Sequence, residues 1–377
     1  MEKAILNCFN KYLIDIYIPS KTFLLGEYLA LSGGPSLLIN TPKNFILKIN
    51  QPDDCNFLKQ INNKKTHPAF LLLKDYIGQL NTCDTDKFKN FFKNCSFKDP
   101  YNASGGFGCS GAEFLSVYII INLHKLFFNK KENILNTTNT TNADNKISIQ
   151  EFKQKWDTFL NTEKKELNVF YTFKKLTNLG SGFDILSQLF GSLVFLEFLD
   201  KNLDSHSLNS HSLDSANISN FKYKNFYWPF KNYQFSILKS KNKVDTYKHL
   251  SSITKSKLDI VKKALTPTVK KAFIAIDEKN IDNFLSSVTE QQKILEKQGL
   301  VCLESTNTVK EFNKIPEILA SKSCGALGAD TFLIFYSSDS KDIIKEKIKT
   351  SKILSSLLFI KDNYLSDGLK LQIKDIK

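Results

Sequence analysis

The chain has 377 residues, of which 42% are hydrophobic, and its 52 basic residues outnumber 38 acidic ones to give a formal net charge of +14. This length suits two globular domains of ordinary size. Every one of the 52 is a lysine, and the lysines are spread along the chain. Because arginine is the side chain that pairs bidentately with phosphate and guanine, its absence disfavours specific nucleic-acid binding.

The cysteines and the apolar runs indicate where in the cell the protein is located. Seven cysteines are scattered without CxxC spacing, which indicates free thiols in a reducing cytoplasm and disfavours a zinc site. The first residues, Met1 to Ala4, do not resemble a secretion signal. The longest strongly apolar runs, such as 114–123, fall short of the roughly 20 residues that span a bilayer. We therefore expect a cytoplasmic protein with no membrane partner.

The periodicity of the sequence predicts antiparallel strands in the first fifty residues, followed by a mixture of helices and strands. Strands are expected at 13–18, 22–31, 36–40, 45–49, 226–230, 233–238, 331–336 and 369–376. Helices are expected at 69–80, 114–128, 245–265, 269–298, 307–320 and 341–354. Segments 129–147 and 201–220 are low-complexity insertions. The pattern predicts an α+β chain with an N-terminal domain at 1–222 and a C-terminal domain at 223–377.

A lysine and an acidic turn interrupt the apolar strands near the start of the chain. Lys21 follows Pro19-Ser20, and Gly26-Glu27-Tyr28 lies inside an otherwise apolar run. In a plain sheet, Lys21 would be an edge lysine and Gly26 a β-bulge. The alternative is that they belong to a functional site, and these residues alone leave the choice open.

A glycine-rich loop leads directly into the long apolar helix that is predicted at 114–128. Its candidate phosphate-binding residues are Gly105, Gly106, Gly108, Cys109, Ser110 and Gly111. Glycines let backbone N–H groups approach a phosphate closely, and a helix N-terminus adds roughly half a positive charge. The Ser110 hydroxyl could reach a phosphate-bound Mg²⁺. A plain turn is the alternative, and this is not a Walker loop because no Lys-Ser or Lys-Thr follows the glycines.

Two further loops of small residues carry acids. The segment Gly180-Ser181-Gly182-Phe183-Asp184 brings Asp184 to the start of a short apolar helix. There it is either a helix cap or a fixed carboxylate that accepts a proton or orients a nucleophile. The segment from Lys322 to Thr331 places Gly325 and Asp330 before a strand, which also suits a tight helix-to-strand connection.

These stretches, in this order, resemble the motifs of the GHMP kinase superfamily. Residues 19–28 resemble the first motif, usually Pro-Gly-Lys followed by Gly-Glu, and residues 106–111 resemble the phosphate loop, usually Gly-Leu-Gly-Ser-Ser. Residues 324–329 resemble the third motif, usually Ser/Thr-Gly-Ala-Gly-Gly-Gly. The resemblance implies a two-domain α+β GHMP kinase fold with the active site in the cleft between the domains. It also implies ATP and Mg²⁺ as cofactors and a small-molecule phosphate acceptor, in a monomer or homodimer.

Within the superfamily, the chain is similar to phosphomevalonate kinases at Gly180 to Asp184, at Asp330, and at Tyr28, where mevalonate kinases usually place His. This resemblance implies phosphorylation of 5-phosphomevalonate to 5-diphosphomevalonate. It makes Asp184 and Lys21 catalytic, the glycine-rich loop the ATP-binding element, and Ser110 a Mg²⁺ ligand. The acceptor-binding residues that it implies are Glu27, Tyr28, Ser181, Lys243, Gly325 and Asp330.

The chain departs from the family pattern at several positions. Ser20 and Cys109 replace a glycine and a serine, and Leu327 and Ala329 replace two glycines of the third motif. Residues 168–176 contain no acid where mevalonate kinases carry a Mg²⁺-binding Glu, and no arginine is present for an acceptor phosphate. The alternatives are a mevalonate kinase, a kinase of a sugar or sugar phosphate, and a catalytically lapsed protein that binds a nucleotide or metabolite.

Overall fold

The computed structural model describes residues 12–52, 56–102, 105–128, 148–177, 180–199, 221–240, 249, 253–360 and 365–375. The two predicted insertions, 129–147 and 201–220, and the candidate Lys243 lie outside these residues. Within the described ranges, no helix combines the length and the apolar character needed to cross a membrane.

The described elements alternate between strands and helices along the chain. The strands are β1 (Tyr12–Leu25), β2 (Ser36–Ile49), β3 (Cys95–Lys98), β4 (Leu193–Phe198), β5 (Phe221–Phe226), β6 (Tyr233–Lys239), β7 (Ile318–Cys324), β8 (Thr331–Ser337), β9 (Leu358–Phe359) and β10 (Lys370–Asp375). The α-helices are α1 (Phe57–Asn62), α2 (Pro68–Gly78), α3 (Thr82–Lys93), α4 (Cys109–Phe128), α5 (Ile149–Glu166), α6 (Asn168–Leu176), α7 (Phe183–Phe190), α8 (Lys255–Asp277), α9 (Ile281–Lys297), α10 (Leu303–Phe312) and α11 (Lys341–Thr350).

Two long strands, β1 and β2, form the centre of the larger sheet. The order of the sheet is β10-β1-β2-β4-β5, with β3 paired to β2, and all these pairings are antiparallel. The sequence predicts four short strands here, and the breaks are wrong because β1 continues through Pro19 and β2 through Pro42. The pairing of β1 with β2 shifts register between Ile18 and Ser20. Such a bulge accommodates a proline, which has no N–H to donate to the ladder.

The smaller sheet has the order β7-β8-β6-β9 and is also antiparallel. Among the predictions for this half, the position of one strand and the end of one helix are wrong. The strand expected at 226–230 lies instead at Phe221–Phe226 and pairs with β4 of the larger sheet. The helix expected at 307–320 ends at Phe312, since Pro316 follows closely and cannot continue a helix, and the chain then forms β7.

Helix α8 continues through Pro267, where the sequence predicts a break between two helices. Leu265 and Val269 on either side of the proline are fully buried, and this packing outweighs the backbone hydrogen bond that proline cannot make. The chain turns instead near Lys279, whose φ of 57° lies in the left-handed region, before α9 begins at Ile281.

The hydrophobic core joins the two halves of the chain. One cluster of buried side chains includes Ile120 of α4, Phe195 of β4, Leu265 of α8 and Phe335 of β8. Strand β10 returns from the C-terminal half to pair with β1. The larger sheet is therefore built from both halves, and the division at residue 222 stays a prediction.

Candidate active site

Lys21 and Asp184 form an ion pair with 2.7 Å between Nζ and Oδ1. Lys21 lies in β1 with its side chain 8% exposed, so it is not an exposed edge lysine. Asp184 lies in the first turn of α7 and is 35% exposed. The ring of Phe23 lies 4.6 Å from the Lys21 ammonium. The fold thus brings together a buried cation and a carboxylate that is partly open to solvent.

The loop before α7 leaves the Asp184 carboxylate available for this pairing. Gly182, with φ of 74°, occupies the cap position of α7, and no side chain caps the helix. Ser181 Oγ accepts a hydrogen bond of 3.1 Å from the backbone N–H of Phe183. Asp184 is therefore not the helix cap, and its catalytic role stays a prediction.

The glycine-rich loop is held against β1 and α7 beside the ion pair. The backbone N–H of Lys21 donates to the carbonyl of Phe107 at 3.0 Å. The side-chain amide of Gln188, one turn after Asp184, donates to the carbonyls of Pro19 at 3.0 Å and Gly108 at 3.1 Å. These bonds fix three segments that are distant in sequence around one point.

Two glycines with a left-handed backbone lie directly before the start of α4. The helix begins at Cys109, and Gly106 and Gly108 have φ of 85° and 84°, which side chains rarely adopt. Ser110 Oγ lies in the first turn, 2.7 Å from His67 Nε2. No cluster of three potential metal-ligating His, Cys, Asp or Glu occurs among the described residues. In some nucleotide-binding loops a serine or threonine at the helix start helps to hold the Mg²⁺ that bridges the nucleotide phosphates, and the Ser110 hydroxyl lies at such a position.

Cys109 replaces the serine that is usual in the family's loop. Burial raises the pKa of its thiol far above the usual range, and the nearby carboxylates of Glu113 and Asp99 raise it further. Cys109 Sγ lies 3.5 Å from Asp99 Oδ2 and donates to it. The thiol therefore stays protonated at neutral pH, which supports a small substitute for serine rather than a nucleophile.

The third glycine-containing loop meets the glycine-rich loop at Asp330. A Cβ atom on Gly105 would lie 2.3 Å from Asp330 Oδ1, and one on Gly325 would lie 2.2 Å from Oδ2. The carboxylate therefore occupies the space that both glycines leave open. Leu327 has φ of 52°, so the loop keeps a left-handed backbone at a position where the family usually has glycine.

Glu27 joins the larger sheet to the C-terminal half. Its Oε2 accepts from Gln291 Nε2 at 2.6 Å, and its Oε1 pairs with the ammonium of Lys322, whose side chain is completely buried. The side-chain oxygen Oε1 of Gln291 in turn accepts a hydrogen bond of 2.8 Å from the backbone N–H of Gly26. Burial lowers the pKa of Lys322, but Cys324 and Glu27 raise it more, so the net pKa lies above its usual value. Both oxygens of Glu27 thus bind protein groups, and acceptor binding by Glu27 stays a prediction.

Tyr28 is placed in an interface between elements rather than at the ion pair. Its hydroxyl lies 2.9 Å from His249 Nε2 and donates to the Leu300 carbonyl at 3.3 Å. Burial raises the pKa of Tyr28 well above its usual value, with a smaller contribution from Glu27. Its role toward an acceptor stays a prediction, as does that of Lys243, which lies outside the described residues.

Three polar residues of the site had no predicted role. Gln188 has a local signal, because it lies four positions after Asp184 on an otherwise apolar helix and so shares its face. His67 directly precedes Pro68, a pattern typical of a helix start, but nothing in the sequence connects it to Ser110. Gln291 lies on α9 without a local motif, and only the tertiary structure brings it to Glu27.

The backbone conformation of the loop makes substitution of Gly108 by any other residue costly. We expect Gly108→Ala to weaken MgATP binding about tenfold or more, because a Cβ atom there would lie 2.8 Å from Lys21 Cγ, on a residue with φ of 84°. Gly78→Ala is the matched control, since a Cβ atom there meets nothing within 4 Å. Titration with a fluorescent ATP analogue compares the two variants. Equal affinities would contradict this description of the loop.

Comparisons with known proteins agree with this arrangement at the level of the fold. No protein-family model matches the sequence, and no curated protein matches it. The Lin0012 protein of Listeria innocua is 16% identical, with a TM-score of 0.65 and coverage of 96% of this chain and 99% of that chain. Streptococcus pneumoniae phosphomevalonate kinase, in complex with phosphomevalonate and AMPPNP, is 13% identical, with a TM-score of 0.57 over 94% and 99% of the two chains.

A sugar kinase is similar to the same extent. Lactococcus lactis galactokinase, complexed with galactose, is 12% identical, with a TM-score of 0.59 over 95% of each chain. Mevalonate kinases are also among the matched structures. These matches cover nearly the whole chain. The chain has the mixed helix-and-sheet fold of the GHMP kinases, as its sequence motifs predict.

Proposed function

We propose that this protein is an ATP-dependent small-molecule kinase. The observation that carries the proposal is the 2.7 Å ion pair between Lys21 and Asp184, held beside Gly108 at the start of α4. Phosphoryl transfer needs little covalent chemistry from the protein, and depends on positioning and on cations near the transferred group. A lysine, a carboxylate and a phosphate-binding helix start at one point supply these requirements.

Each residue of the pair has a distinct role in this proposal. Lys21 neutralises charge that develops on the transferred phosphoryl group, and its burial against Phe23 strengthens this effect by excluding water. Asp184 orients the acceptor oxygen or accepts its proton, and holds the Lys21 ammonium in place. The loop glycines and the first turn of α4 bind the ATP phosphates. Mg²⁺, when bound at Ser110 with the nucleotide, would neutralise further charge on those phosphates.

The acceptor that we propose is 5-phosphomevalonate, which becomes 5-diphosphomevalonate. Support comes from the resemblance of residues 180–184, Asp330 and Tyr28 to phosphomevalonate kinases, and from the similar fold of a phosphomevalonate kinase. A phosphate acceptor is already ionised near neutral pH, so it needs cations more than a strong base. We also propose a cytoplasmic location and a monomer or homodimer.

Three alternatives rest on specific observations. The similarity to a galactokinase keeps a sugar or sugar phosphate as the acceptor, and the matched mevalonate kinases keep mevalonate. A catalytically lapsed protein that binds a nucleotide or metabolite is the alternative from another class, because Leu327 and Ala329 replace glycines. The left-handed backbone at Leu327 and the intact ion pair of Lys21 and Asp184 count against this alternative.

The test is ADP release from MgATP by the purified protein with phosphomevalonate, mevalonate or galactose as the acceptor. We expect turnover with phosphomevalonate and a kcat/KM at least about a hundredfold lower with the other two, because a site with cations for a phosphate gains little from an acceptor that lacks one. Turnover with another acceptor alone would replace the proposed acceptor and keep the kinase. Nucleotide binding without turnover would favour the lapsed protein.

A further inference from the structure

His67 lies at the N-terminus of α2 and faces the phosphate loop, although it has no part in the proposed chemistry. Its Nδ1 accepts a hydrogen bond of 3.1 Å from the backbone N–H of Ala69, so His67 caps the helix that Pro68 begins. Its Nε2 lies 2.7 Å from Ser110 Oγ. One ring therefore bridges a helix cap and the hydroxyl that is the candidate Mg²⁺ ligand.

The cap determines which ring nitrogen carries the proton. A nitrogen that accepts from an N–H cannot itself be protonated, so the proton of the neutral ring is on Nε2. Nε2–H then donates to Ser110 Oγ, and the serine oxygen is the acceptor. This bond uses one lone pair of the hydroxyl and leaves the other lone pair and the O–H proton for groups outside the protein.

The surroundings of the ring hold it in this orientation. Glu113 Oε2 lies 3.3 Å from His67 Nε2, while Oε1 of the same carboxylate pairs with Lys64. The Glu113 side chain is 5% exposed and the His67 side chain 16% exposed. A ring fixed on both sides restricts the rotation of the Ser110 hydroxyl to which it donates.

We propose that His67 is a positioning residue that orients the Ser110 hydroxyl toward Mg²⁺ and the phosphates of the nucleotide. This inference rests on the proposed function, because it requires that a magnesium nucleotide binds at Ser110. Partners behind a metal ligand typically change metal affinity by about 10–100-fold when they are removed. His67 would thus act on the affinity for MgATP, and much less on the affinity for ATP without magnesium.

Two substitutions separate the roles of the two ring nitrogens. In His67→Asn, the short side chain keeps an oxygen for the Ala69 N–H but cannot reach Ser110. In His67→Gln, the amide nitrogen can take the place of Nε2 near Ser110, while the cap to Ala69 is lost. We expect H67N to bind MgATP about tenfold more weakly at an unchanged Tm. H67Q is expected to bind MgATP within about threefold of the wild type, with a lower Tm because a cap contributes about 1 kcal/mol.

The readout is the Kd of a fluorescent ATP analogue, measured for each variant with Mg²⁺ and with EDTA. The effect of H67N is expected to disappear in a Ser110→Ala background, since the hydroxyl that His67 orients is then absent.

MgATP binding by H67N equal to that of the wild type would overturn the role of His67 while leaving the kinase intact. Equal weakening by H67N and H67Q would make His67 structural only. A wild type that binds no nucleotide would overturn the proposed function, and this role with it.

The tautomer can also be measured without any substitution. ¹⁵N-histidine NMR of the wild type at neutral pH is expected to show His67 with a protonated Nε2 and an unprotonated Nδ1. The opposite tautomer would overturn the inference, because a protonated Nδ1 could not accept from the Ala69 N–H, and Nε2 would accept the Ser110 hydroxyl proton instead of donating to its oxygen. This measurement tests the donor role of Nε2 even if H67N does not fold.

Discussion

Asp184→Asn is expected to lower kcat by about 10²–10⁴-fold while MgATP binds at least as tightly as to the wild type. Asparagine has nearly the same shape, but it carries no charge to hold the Lys21 ammonium at 2.7 Å, so the cation that neutralises the transferred phosphoryl group is no longer fixed. Because the substitution removes a negative charge near the nucleotide phosphates, its effect on nucleotide affinity is neutral or favourable.

Steady-state kinetics and nucleotide titration, performed on the same protein samples, distinguish the two effects. Asp342→Asn is the matched control, since Asp342 lies on α11 with its side chain 93% exposed, and it pairs only at 3.3 Å with Lys345. We expect this control to retain wild-type kinetics. An Asp184→Asn enzyme with kcat within about threefold of the wild type would exclude Asp184 from the reaction, because loss of a carboxylate that fixes the Lys21 ammonium and orients the acceptor is expected to cost about a hundredfold.

Lys322→Met is expected to lower the free energy of unfolding by about 3–5 kcal/mol. The substitution leaves the carboxylate of Glu27, which is 9% exposed, without its buried cation. Loss of one partner of a buried ion pair is costly because the remaining charge stays desolvated. The pair also connects β7 to the turn that follows β1, so the two sheets lose a common anchor.

Urea unfolding at pH 7 measures this effect, with two controls. Adding Glu27→Gln to Lys322→Met is expected to recover a large part of the loss, because no unpaired charge then remains. Lys349→Met breaks the exposed ion pair with Glu346 and is expected to cost less than about 1 kcal/mol. Equal costs for Lys322→Met and Lys349→Met would contradict a stabilising role for the buried pair.

The pH dependence of this pair follows from the direction of the shift. The pKa of Lys322 in the folded protein lies above its ordinary value of 10.5. A group whose pKa is raised by folding contributes its full stability below the unfolded pKa and loses it as the pH rises through the folded pKa. The contribution of Lys322 is therefore complete at neutral pH and is lost only in alkaline solution above about pH 10.5.

The sequence could predict the site where its chemistry is local. The glycines of 105–111, the lysine after Pro19-Ser20 and the acid at Asp184 each lie in a short motif, and the resemblance of these motifs to one superfamily gives the fold. The structure adds that Lys21 and Asp184 touch each other. Local pattern could not show this contact, because its two residues come from opposite ends of the N-terminal half.

The three errors at prolines in the predicted elements have a common physical origin. Proline interrupts hydrogen bonding locally, so the sequence places breaks at Pro19, Pro42 and Pro267, but the chain continues through all three. In the sheet, bulges absorb the missing donor, and in α8 the burial of Leu265 and Val269 outweighs it. A local sequence pattern does not show tertiary packing, and tertiary packing determines whether these elements continue through their prolines.

The polar network behind the site lies beyond local pattern for the same reason. His67, Gln291 and Lys322 act through partners that are 43, 264 and 295 positions away in the sequence. Among these polar residues, only Gln188 has a signal in the local sequence, because it lies one helical turn after the motif residue Asp184. A prediction of such supporting contacts needs the three-dimensional arrangement of the elements, which a single sequence does not contain.

The most direct test of the proposed kinase is ³¹P NMR of the wild-type protein with MgATP and phosphomevalonate. The proposal predicts that the phosphomonoester resonance of the acceptor disappears and two diphosphate resonances replace it, in step with the formation of one ADP for each acceptor consumed. ADP that appears together with free inorganic phosphate and an unchanged acceptor, or ATP that stays intact, would contradict phosphoryl transfer to this acceptor.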